Sequence, residues 1–152
     1  MKPEKFLKKT TAYLKSLQEA LKKSVAVGLP LEKVGGEVYE NGVSVLDVGA
    51  AHVYGINVPL RSFLRMPFDV KRKIISNEID RQFKKVFDDG RSVEKALGLV
   101  GIAARNVVID AFKTGGFGQW KDISPITKEL KGSSAILVNL GILKGAITWV
   151  VR

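Results

Sequence analysis

Few residues in this chain are of the types that do covalent chemistry. His52 is the single histidine, and there is no cysteine. Thiol nucleophiles, Cys-based zinc fingers, iron–sulfur clusters and disulfides are therefore excluded. A histidine acting as general base needs a positioned partner. Asp47 is the nearest acid in sequence, so a packed or surface histidine is the expectation. Asp88-Asp89 offers hard oxygen ligands, but a calcium or magnesium cage needs more of them, and a helix end running into Gly90 is expected. Gly115-Gly116-Phe117-Gly118 fits neither G-x-x-x-x-G-K-[ST] nor G-x-G-x-x-G. A loop of local turns is expected there, not a phosphate cradle. No serine stands in G-x-S-x-G. The residues give no catalytic constellation, cofactor site or metal site, and the expectation is a protein that is not an enzyme.

The chain has 152 residues, of which 45% are hydrophobic and 26% charged. That is one domain with enough apolar residues for a core. Its apolar runs fall short of the roughly 18–20 residues of a membrane span. The basic N-terminus lacks the apolar stretch of a secretory signal. A soluble protein made in the cytoplasm is expected.

The net charge is +10 and is concentrated. Residues 1–23 carry seven lysines against Glu4 and Glu19, and residues 61–85 carry eight basic residues against Asp69, Glu78 and Asp80. Each segment is +5, and the rest of the chain is neutral. Phosphate or an acidic protein surface would be attracted to them; a solvated helix face has the same composition. The residues placed for such a contact are Lys5, Lys8, Lys9 and Lys15 in the first segment and Lys71, Arg72 and Lys73 in the second.

The elements follow from periodicity. Phe6, Leu7, Thr10, Tyr13, Leu14, Leu17, Ala20 and Leu21 recur at helical spacing over 3–23, with lysines opposite. Packing on its own domain is expected for this helix, although a basic amphipathic helix also suits an anionic membrane. Residues 24–28 and 37–40 read as strands, and Asn41-Gly42 as a tight turn. Residues 43–48 fit either a return strand or the start of a helix. Ser44 and Asp47 have capping-box spacing and Gly55 could end a helix, so a helix over 45–54 is preferred. Residues 55–67 form a long connection rich in apolar side chains. Helices are expected over 68–88 and 92–113, the second thinned by Gly98 and Gly101. Residues 114–134 read as loop, 139–144 as one helical turn and 146–151 as a closing strand. The sum is an α+β domain of three long helices packed on a small, mostly antiparallel sheet, with 1–23 as a basic amphipathic helix and 24–152 as the body.

Tyr39-Glu-Asn-Gly42, His52-Val-Tyr-Gly55 and Val58-Pro-Leu-Arg-Ser-Phe-Leu64 are followed by two helices, a glycine loop with Trp120, and Ser124-Pro125-Ile126-Thr127. Lys131, Leu137, Leu140-Gly141-Ile142-Leu143 and Ile147–Val151 complete the order. In this order and spacing, over about 25–151, the chain resembles the virion-morphogenesis family of tailed phages, the tail-completion or neck proteins of the head–tail joint. Val53 stands where that family often has an acid, and Leu140 where it commonly has threonine.

The resemblance implies a structural virion protein of the neck, made in the host cytoplasm. It completes the tail and joins it to the head as a homo-oligomeric ring, such as a hexamer, around the DNA channel. Its implied partners are a head connector or stopper protein, a tail terminator or tail tube protein, and non-specifically the packaged DNA, with no membrane and no cofactor. The connection at 55–67 then becomes a candidate subunit or partner interface through Ile56, Val58, Pro59, Arg61, Phe63, Leu64 and Arg65, joined by Trp120. Phe63 and Leu64 would be its anchors. The alternative is that Pro59 to Leu64 close the domain's own core. A tail terminator and a non-specific basic DNA-binding protein are the competing functions.

Overall fold

Ser44 begins the helix expected over 45–54: its hydroxyl accepts the Leu46 N–H at 3.1 Å, and its carbonyl accepts the Val48 N–H. The helix ends at Gly55, whose φ of +70° and N–H bond to the Ala51 carbonyl make a left-handed cap. These ends decide the ambiguous stretch in favour of helix. Ser44 caps without a reciprocal bond from Asp47, so the cap is one-sided. Of the expected strand at 37–40, an isolated bridge between Val38 and Ser44 remains, because the chain turns at Gly42 and enters the helix directly.

The computed structural model describes residues 3–121 and 141–152. Among them, in chain order, are α1 (Pro3–Lys22), β1 (Val25–Gly28), α2 (Leu31–Val34), α3 (Val45–Tyr54), α4 (Arg65–Val70), α5 (Arg72–Asp89), α6 (Val93–Lys113), α7 (Gly141–Ala146) and β2 (Thr148–Val151). The fold is mostly helical with one small antiparallel sheet. The α+β expectation holds at that level. Its detail does not, since seven helices stand among the described residues where three long ones were expected. The expected helix over 68–88 is two: the backbone at Lys71 (φ −107°, ψ 21°) leaves the helical region and separates α4 from α5. Ser124 to Thr127, Lys131, Leu137 and Leu140 lie outside the described residues.

Helix α6 is the centre. Ser92 caps it by accepting the Lys95 N–H, Glu94 lies in its first turn and Lys113 in its last, each charge matched to the helix dipole. Its buried stripe serves two clusters. Val108, Ala111 and Phe112 meet Val45, Phe63, Leu143 and Ile147 in the larger, while Val93, Ala96 and Leu97 meet Val86 of α5 in the smaller.

The sheet is two strands of four residues, paired Val25↔Val151 to Gly28↔Thr148. Val25, Val27, Trp149 and Val151 share one face. That face lies on α6, where Gly98 and Gly101 leave room for the Trp149 ring, as their small size suggested. An isolated two-stranded ribbon is marginal in water. Here Arg105 Nε donates to the Ile147 carbonyl at 2.7 Å, which fastens the ribbon's entry to α6.

Candidate functional site

The residue types nearest to chemistry are occupied structurally. Asp88 pairs with Lys84 at 2.7 Å, and that hydrogen bond holds its carboxyl below the usual range. Glu78 takes a two-pronged contact from Arg81 at 2.8 and 2.9 Å and a hydrogen bond from the buried Gln82 at 2.6 Å. Arg81 is the main cause of its lowered pKa. Gln82 in turn accepts from Arg91, so this network ties the end of α5 to the following turn. His52 is buried on α3, where its carbonyl accepts the Arg61 N–H at 2.8 Å. Among the described residues no group of three or more His, Asp or Glu is placed to hold a metal ion, and no helix is long and apolar enough to cross a membrane.

The glycine loop has a local use. Gly115, Gly116, Phe117 and Gly118 all have positive φ. The N–H groups of Gly116 and Gly118 donate to the Ala111 and Thr114 carbonyls, and that of Phe117 to the Thr114 hydroxyl. These donors are taken by the chain itself, and the turn they form brings Trp120 back edge-on to Phe112, with ring centroids 5.5 Å apart.

The candidate interface residues divide. Phe63 is 0% exposed and Trp120 8%, both in the larger core cluster. Arg61 is 4% exposed, and its guanidinium donates to the Lys121 carbonyl at 3.4 Å. These three are therefore corrected from docking residues to parts of the domain's own interior. Leu64 is half-buried against the same core, and Val58 is half-buried. Ile56, Pro59 and Arg65 are exposed, as is Leu60 between them, and Arg65 lies 3.6 Å from Asp69.

The candidate basic residues divide as well. Lys5, Lys8, Lys9 and Lys15 are all exposed on α1. Lys71 is half-buried with its ammonium 4.8 Å from the centre of the Phe117 ring, a cation–π contact. Arg72 and Lys73 are exposed at the start of α5.

Two features were not foreseen. The first is how little of α1 the domain covers: none of its residues is buried. One flank touches the end of α5, where the Tyr13 and Phe87 rings are 4.6 Å apart, and Lys23 just beyond it pairs with Glu94 at 2.9 Å. Leu7, Leu14 and Leu21 remain 62%, 53% and 87% exposed. The expected packing of this helix on its own domain is therefore partial. The seven-residue spacing of these leucines was the available signal.

The second is an apolar groove of about 570 Å³ between β1, α4, α5 and α6. Val27, Phe68, Ile75, Ile79 and Val100 line it, and Asp69, Arg72 and Asp80 stand among them. No sequence pattern announces it, because it exists only once β1 lies beside α5. No family model, curated protein or solved structure matches the chain in comparison with known proteins.

Proposed function

We propose that this protein is an assembly component of a phage virion, a neck or tail-completion protein acting as a ring subunit at the head–tail joint. The observation that supports an assembly role is α1, which the family motifs over 25–151 do not account for. A 20-residue helix with an exposed row of leucines on one side and lysines on the other is built to meet something outside its own domain. The ordered motifs of the sequence supply the particular setting. The partners in this reading are further copies of the chain, a head connector or stopper protein, and a tail terminator or tail tube protein.

Electron microscopy of lysates from a phage lacking this gene tests it. Full heads beside separate tails of normal length are expected. Tails of abnormal length would favour a tail terminator instead, and normal infectious particles would overturn the proposal.

A second reading, DNA contact, is favoured by the exposed Lys5, Lys8, Lys9 and Lys15. It is compatible with a ring around a DNA channel. Binding to duplex DNA should weaken steeply with salt. The triple change Lys5→Glu, Lys8→Glu, Lys15→Glu should reduce the log–log salt slope by about one unit for each of these side chains that neutralises a phosphate. A gel shift at low salt with no retarded band would remove this reading.

A further inference from the structure

The exposed leucines of α1 belong to a repeated triplet. Phe6-Leu7-Lys8, Tyr13-Leu14-Lys15 and Ala20-Leu21-Lys22 follow one another at seven-residue steps. Successive residues of an α-helix turn by about 100°. Each leucine therefore has a lysine on one flank and an apolar residue on the other. The domain meets α1 from a different side. Lys9, Ala12 and Ser16 line the cleft that the helix forms with Phe87 and Asp88. Leu7 and Leu14 lie about 160–180° round the helix from Ser16. The leucine row is thus open along its length, about 21 Å from Leu7 to Leu21, and a flat surface can reach all of it without meeting the body.

Charge chooses what covers the row. Residues 1–23 are net +5, so a second α1 laid on the first would bring like charges together. Duplex DNA would take the lysines and leave the leucines in water. A bilayer surface rich in anionic phospholipid takes both at once. Its acyl boundary receives the leucines, while Lys8, Lys15 and Lys22, all exposed, lay their stems along that boundary and raise their ammonium groups to the phosphates. None of the described helices is long and apolar enough to cross a bilayer, so α1 would lie in the surface and not through it.

We infer that α1 binds the surface of an anionic phospholipid bilayer, lying in its plane through Leu7, Leu14 and Leu21 with Lys8, Lys15 and Lys22 at the headgroups. The contact belongs to the single chain, before any neighbour covers α1. It goes beyond the virion reading and does not depend on it, because the motifs behind that reading begin after α1 ends.

Flotation of the full chain with vesicles tests this. One set is phosphatidylcholine with about one-third phosphatidylglycerol, and the other is phosphatidylcholine alone. Two variants are compared with the unaltered chain: Leu14→Gln with Leu21→Gln, and Lys8→Gln with Lys15→Gln and Lys22→Gln. Every changed residue is exposed, and circular dichroism checks that each variant is folded. The unaltered chain should float with the anionic vesicles and stay at the bottom with the neutral ones. Each variant should partition onto the anionic vesicles about tenfold more weakly or worse.

Three results would overturn the inference: an unaltered chain left at the bottom with anionic vesicles, equal flotation with both sets, or either variant floating as well as the unaltered chain. The first would give the row to an acidic protein surface instead. A leucine variant that still floats would mean attraction by charge alone. Deleting the gene reads the virion role and flotation reads the lipid contact, so the two fail separately.

Discussion

Phe63→Ala is expected to destabilise the chain by about 3–5 kcal/mol, which a lower urea midpoint at unchanged slope would report. Phe63 is fully enclosed, with its ring 5.2 Å from that of Phe112 and Gly49, Val45 and Leu143 around it. Two helices, α3 and α6, hold this space open, so the walls cannot close on the void. A domain of this length has a total stability of roughly 5–15 kcal/mol, so the loss is a large share. The result also separates the two roles open to this residue in the sequence. An anchor for a neighbouring subunit would leave monomer stability almost unchanged when truncated. A loss below about 1 kcal/mol would therefore contradict the core assignment.

Gly101→Val should cost about 2–3 kcal/mol, while Gly98→Ala should be close to neutral. The two glycines sit one turn apart under the same indole. A Cβ at Gly101 would lie 2.9 Å from two atoms of the Trp149 ring and 3.0 Å from a Val25 methyl, so it is clamped from both strands. At Gly98 the nearest atom is the outer edge of the ring, at 3.3 Å. Alanine gains about 1 kcal/mol of helix propensity over glycine at either position, enough to offset the mild contact at 98. Valine gains less and brings two more carbons into the clamp at 101. Urea midpoints of the two variants check this, and equal midpoints would show that Trp149 is not seated between them.

Much of the helical framework was legible because its signals are local. Ser44 and Gly55 bound α3, Asp88-Asp89-Gly90 stops α5 with φ +69° at the glycine, and the stripe of α6 is its buried face. The break at Lys71 was not legible. Phe68, Ile75 and Ile79 keep helical spacing across it, and periodicity does not register a single residue that changes the axis. The connection at 55–67 shows the same limit in another form. Its apolar content announced that it must bury something, but Arg61 goes inward with Phe63 while Ile56 and Leu60 stay out. An arginine can be buried when distant groups receive its N–H bonds, and the Lys121 carbonyl lies sixty residues away along the chain. The groove was hidden for that reason too, since β1 and α5 meet only in three dimensions. Of the two features that the sequence reading missed, α1 alone left a trace in the sequence.

The pairing of β1 with β2 has a consequence for how the molecule is made. Ser24 and Arg152 exchange backbone hydrogen bonds beside the ribbon, and Glu32 pairs with Arg152 across 120 residues. Closing so long a loop is entropically slow compared with winding α5 and α6. During vectorial synthesis β1 leaves the ribosome long before its partner is translated, so Val25 and Val27 wait as an unpaired, apolar edge. The groove's lining residues, between 25 and 104, are all made before β2, but the wall that β1 supplies gains its strand partner last. A nascent chain can therefore wind α5 and α6 first, and β1 is held in its ribbon only once synthesis has reached β2.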